Sequence, residues 1–128
     1  MGTFVMRTVP SGVKFDLYAA NGQTILTSEV YRTAAACRKG IESVRKNAPK
    51  ADIEDQTGFA FQILPHPKFE LYTDKSGAFR FRLKASNGQI IAVSEPYSTK
   101  AVCRDGIKSV KENASRAEVD EVLIRGIP

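Results

Sequence analysis

The chain has no tryptophan, one histidine and two cysteines among its 128 residues. Each scarcity removes a class of chemistry. His66 stands between Pro65 and Pro67, so it belongs to a surface loop, and a lone histidine leaves no set of partners for a Ser-His-Asp or Cys-His centre. Cys37 and Cys103 lie 66 positions apart, a separation that fits none of the usual zinc spacings, and no metal is expected. The glycines come singly rather than as a loop that could cradle phosphate, so no nucleotide cofactor is expected either. No apolar run approaches the roughly 20 residues of a membrane helix. The first residues, Met1 to Arg7, lack the basic-then-apolar order of a secretory leader. These absences together lead to the expectation of a cytoplasmic, non-enzymatic protein whose two thiols stay reduced and buried as small core elements.

What is present suffices for one domain and excludes a multidomain enzyme. Hydrophobic residues make up 42% and aromatics 9% of the chain, too much for a disordered polymer. Nineteen Lys and Arg against 14 Asp and Glu leave a net charge of +5. The dominant feature is internal repetition. Shifted by 66 residues, Val13 to Ile53 superimposes on Phe79 to Val119 with 21 of 41 positions identical, among them Asn21-Gly22-Gln23 with Asn87-Gly88-Gln89, Tyr31 with Tyr97, and Gly40-Ile41 with Gly106-Ile107. Two repeats are too few for a solenoid, so a closed pseudo-twofold domain is expected, with residues 1–64 as one repeat and 65–128 as the other.

Each copy reads as three strands, a helix and a further strand. In the second copy Phe79, Phe81, Leu83 and Ala85 alternate with Arg80, Arg82 and Lys84 at the period of a half-buried strand. Asn87-Gly88 supplies a hairpin turn. A two-residue loop would bury Ile90 and a three-residue loop with a glycine bulge would bury Ile91, the choice favoured here because Ile25 holds its place in the first copy. Beyond a cap at Ser98 or Thr99, Cys103, Ile107, Val110 and Ala114 follow helical spacing, as do Cys37, Ile41, Val44 and Ala48. Gly40 and Gly106 inside these helices imply a close neighbour, expected to be the other helix. Phe59 to Leu64 and Val122 to Arg125 are expected as the final strands, and the Pro65-His66-Pro67 break as the repeat junction. The strand-to-helix corners repeat Ser28/Ser94, Glu29/Glu95 and Arg38/Arg104, expected to form a cap and a Glu-Arg pair.

The run from Phe79 through Asn87-Gly88-Gln89 to Ser94, Glu95 and Tyr97, then Cys103-Arg104 with Gly106-Ile107 and Asn113-Ala114, resembles the YegP-like family of small prokaryotic proteins of unknown function, and the likeness spans both repeats. It implies an α+β fold of two tandem β-β-β-α-β repeats that share one antiparallel sheet, carry both helices on one face and exchange their C-terminal strands. Dimers of single-repeat members would reach the same layout. It carries no activity and no catalytic residues. The first copy departs from the pattern at Val13 to Tyr18, having lost one aromatic and two basic positions.

Charge is what points outward. Arg80, Arg82 and Lys84 form an alternating row away from the core, with Tyr72 on the same face, a combination able to hold phosphates and stack bases. Lys100, Arg104, Lys108 and Lys111 form a second basic row along the helix, on the other side of the sheet. The function expected is therefore a non-catalytic binding or accessory module with weak affinity for nucleic acid or another acidic partner. The alternative is a protein-interaction module using a sheet edge or the open face. Because duplication already supplies the second unit, the chain is expected to be a monomer.

Overall fold

A computed structural model describes residues 2–123. The strands are β1 (Thr3–Val9), β2 (Gly12–Tyr18), β3 (Thr24–Ser28), β4 (Asp52–Asp55), β5 (Lys68–Thr73), β6 (Phe79–Lys84), β7 (Ile90–Val93) and β8 (Glu118–Leu123); the helices are α1 (Ala34–Asn47) and α2 (Lys100–Asn113). All eight strands belong to one sheet in the order β4-β5-β6-β7-β3-β2-β1-β8.

The sheet is mixed, which corrects the expectation of an antiparallel one. Its six central strands pair antiparallel, but β4 runs parallel to β5 and β8 parallel to β1. Parallel neighbours need a connection of a dozen or more residues to carry the chain back to the starting end. Residues 56–67 serve that purpose, and this is why Phe59 to Leu64 is not the strand the sequence predicts: the stretch is the return path and joins no strand among the described residues. The strand lies earlier, at Asp52–Asp55, where acids hide its alternation. At the other end β8 begins at Glu118, ahead of the expected Val122, and Ile124 and Arg125 fall outside the described residues.

The core lies between one face of the sheet and the two helices. Phe4, Met6, Phe15, Leu17, Phe69, Leu71, Phe81 and Leu83 point to that face, and Cys37, Ile41, Val44, Cys103, Ile107 and Val110 meet them. Burial of each large side chain contributes about 1.5–3 kcal/mol. Phe4 meets Phe15 edge-on at 5.7 Å, and Phe69 meets Phe81 in the same way at 5.8 Å. Each helix starts on a threonine: Thr33 Oγ1 accepts the Ala36 N–H at 3.0 Å and Thr99 Oγ1 accepts that of Val102 at 3.1 Å. Both thiols are free and buried, and burial pushes each up to about 11, where little thiolate exists at neutral pH. In the second hairpin Gly88 takes a φ of 84° and Ile91 is buried while Ile90 is exposed, and a bulge after the turn sets Ala92 opposite Leu83.

The close neighbour of the helical glycines is a tyrosine, not the other helix. A Cβ on Gly40 would lie 2.2 Å from the Tyr31 hydroxyl oxygen, and one on Gly106 2.6 Å from that of Tyr97. Tyr31 stacks on Phe15 and Tyr97 on Phe81, so each ring is wedged between strand and helix. Gly106→Ala is expected to cost about 1–3 kcal/mol despite alanine's better helix propensity. Adding Tyr97→Ala should make the two losses clearly less than additive in urea unfolding.

Candidate interaction surfaces

On the open face the structure brings Tyr72, Arg80, Arg82 and Lys84 together, as the alternation predicts, but it also brings acids to them. Register sets Glu70 of β5 opposite Arg82 and Tyr72 opposite Arg80. Arg82 Nε donates to Glu70 Oε1 at 2.6 Å, Lys84 Nζ lies 3.2 Å from Glu70 Oε2, and Arg80 Nε lies 3.0 Å from Asp74 Oδ2. The Arg82 guanidinium sits 4.5 Å over the Tyr72 ring.

Beneath this row lies a buried ion network. Lys68 Nζ reaches Glu54 Oε1 at 2.8 Å and Glu70 Oε2 at 3.4 Å, with all three side chains at most 5% exposed. Glu54 also accepts the Leu64 N–H at 2.7 Å and the Gln56 side-chain amide at 2.7 Å. Burial alone would raise its carboxyl; Lys68, Gln56 and Leu64 outweigh that and hold it at about 2. Four cations thus face three carboxylates: the row is compensated rather than bare. The first half repeats the pattern in small, with Arg7 Nε 2.7 Å from Asp16 Oδ2.

The helical row is also engaged. Lys100 Nζ and Arg104 Nη2 lie 3.1 and 3.0 Å from Asp55 Oδ2, and Lys111 Nζ donates to the Ala51 carbonyl at 2.8 Å. Lys108 is exposed and forms no ion pair among the described residues. Against its burial, Thr57 and Lys100 hold Asp55 well below the usual carboxylate range. The expected pairing of Glu95 with Arg104 is therefore wrong, as is that of Glu29 with Arg38, whose Nε donates instead to Glu121 Oε2 at 2.8 Å. The helix arginines reach past their own corners to the edge strands. Arg45 donates to the Ala117 carbonyl just as Lys111 does to Ala51.

The surface beside β4 is not visible in the sequence. β4 is the outermost strand, and its second edge has no strand partner among the described residues. Along it runs the return segment, with Phe59 fully exposed, Ile63 at 78% and Phe61 at 44%. Between them is a recess of about 340 Å³ bounded by Ile53, Asp55, Gly58, Phe61, Leu64 and Lys100. Phe59 to Leu64 is expected from the sequence as a final strand, and only topology shows that it lies outside the ladder. His66 is exposed and packs near the turn at Gly88. No helix among the described residues is long and apolar enough to cross a membrane.

The profile of a domain of unknown function, DUF1508, matches residues 12–55 and again 74–121. The UPF0339 protein YegP of Escherichia coli O157:H7 is 40% identical over 111 residues, 87% of each chain. A UPF0339 protein of Treponema denticola is 62% identical over 55 residues, 43% of this chain but 95% of its own. The solution NMR structure of E. coli yegP, a protein of unknown function, superimposes with a TM-score of 0.77 at 36% identity, covering 94% of this chain and 92% of that one. With matches to both halves and a shared mixed α+β sheet, this chain belongs to the DUF1508 family.

Proposed function

We propose that this protein is a non-catalytic protein-interaction module built from two tandem repeats, residues 1–64 and 65–128, whose C-terminal strands β4 and β8 are exchanged between the halves. Three findings support the architecture: the identity at a shift of 66 residues, a relative one repeat long, and, among the described residues, the pairing of β4 with β5 alone and of β8 with β1 alone. The observation that carries the functional reading is the exposure of Phe59, Phe61 and Ile63 beside the open edge of β4. An edge presents unpaired N–H and C=O groups, and an extended segment of a partner can add to it as a further strand while apolar neighbours take up its side chains. Replacing Phe59, Phe61 and Ile63 together by serine should leave the fold unchanged and abolish retention of protein partners from nuclease-treated native lysate. An unchanged bound set, or one released by nuclease, would contradict the proposal.

A second reading keeps the polyanion partner, with Tyr72, Arg80, Arg82 and Lys84 as one surface and Lys100, Arg104 and Lys108 as another. The Arg82–Tyr72 contact and the net charge of +5 favour it. Phosphates would have to displace Glu70, Asp74 and Asp55 from these cations, so affinity should be weak and its salt slope shallow, near that of one or two phosphate contacts.

A further inference from the structure

We propose, against the expectation of a monomer drawn from the duplication, that the helix layer is a docking face for a second copy of this chain, with α1 of each copy lying over α2 of the other. This rests on the exposed side of the helices and not on the segment beside β4. On α1 the row opposite the buried Cys37, Ile41 and Val44 reads Lys39, Glu42, Lys46; the same row on α2 reads Asp105, Lys108, Glu112. These are equivalent positions of the duplication, and at every one the charge is inverted. All six residues are exposed, and five of them form no ion pair among the described residues, Glu42 alone reaching Arg45 of its own helix. Like charges at such positions would repel a second copy; the inverted rows attract it.

The geometry lets both rows be satisfied at once. β3 and β7 are antiparallel neighbours, and each leads through the same corner into its helix, so α1 and α2 run antiparallel. A twofold axis parallel to the helices, midway between two facing layers, then places each α1 antiparallel over the partner copy's α2. With Glu42 opposite Lys108, Lys39 faces Glu112 and Lys46 faces Asp105, and the twofold repeats all three contacts. Asp105 borders a recess of about 210 Å³ shared with Asn21, Gln23, Tyr97 and Ser109, which offers Lys46 a polar seat with an aromatic wall for its stem. Of these two rows only that of α1 carries a net positive charge, whereas a copy of the chain complements both. The assembly is closed and isologous, so it stops at two. Exposed pairs are individually weak, so the dimer forms at high protein concentration and is salt-sensitive.

Sedimentation equilibrium from about 10 μM to about 1 mM protein tests this at ~50 mM and ~500 mM salt. Wild type should approach twice the 14.1 kDa chain mass at the upper concentration and low salt, with association falling about tenfold at high salt. Lys39→Glu with Lys46→Glu should abolish dimerisation, as should Asp105→Lys with Glu112→Lys. All four changes in one chain should restore it, since the rows are again complementary. Unchanged circular dichroism would exclude misfolding as the cause. A wild type that stays monomeric throughout, a dimer indifferent to either pair of reversals, four changes that fail to restore it, or a dimer lost on serine substitution of Phe59 and Ile63 would each overturn the proposal.

Discussion

Lys68→Met is expected to destabilise the fold by about 3–5 kcal/mol, the largest effect of any single change on the open face. The variant keeps Glu54 and Glu70 buried but takes away the cation between them. Glu70 retains Arg82 and Lys84, so Glu54 bears the loss. pH gives the effect a signature. In the wild type the Glu54 carboxyl is depressed from 4.5 to about 2, so its contribution is fully present above pH 4.5 and is lost as pH falls towards 2. In the variant, burial without the lysine raises the same carboxyl, and protonation then relieves the penalty. The gap between variant and wild type should therefore narrow on acidification below about pH 4.5 in urea unfolding. A gap independent of pH would show that Lys68 contributes packing rather than charge.

Cutting the chain between residues 64 and 65 is expected to leave neither half folded as a monomer. β4 has its strand partner in residues 65–128 and β8 in residues 1–64, and the Arg38–Glu121 and Arg104–Asp55 pairs cross between the halves in the same way. A half alone has two unpaired edges, and the whole stability of the domain, about 5–15 kcal/mol, is at stake. Each half should recover ordered structure only by associating, either with itself or, on mixing, with the other half. Residues 1–64 carry Arg38, Asp55, Arg45 and Ala51, so a homodimer can rebuild both kinds of inter-half contact. A monomeric half with native circular dichroism would refute the exchanged architecture.

How much of this the sequence discloses depends on how local each cause is. Phe79, Phe81 and Leu83 alternate with Arg80, Arg82 and Lys84, and β6 forms there as expected because a half-buried strand needs only that local period. The helices follow from Cys37, Ile41, Val44 and their counterparts for the same reason. β4 escapes detection because Asp52 is exposed while Glu54 and Asp55 are held by cations distant in sequence, Lys68 for Glu54, Lys100 and Arg104 for Asp55. The compensation of Arg82 by Glu70 depends on strand register, since both residues are visible in the sequence but their opposition is not. Tyr31 above Gly40 and Tyr97 above Gly106 likewise require the helix to be laid on the sheet before the contact exists.

In the proposed function the partner sits at the segment beside β4 rather than at the basic row. A photo-reactive amino acid introduced in place of Phe61, with a second variant carrying it in place of Tyr72, tests this directly in living cells. Position 61 should give protein cross-links that persist after nuclease treatment, and position 72 none specific to it. Cross-links to nucleic acid from position 72, with position 61 silent, would contradict the proposal.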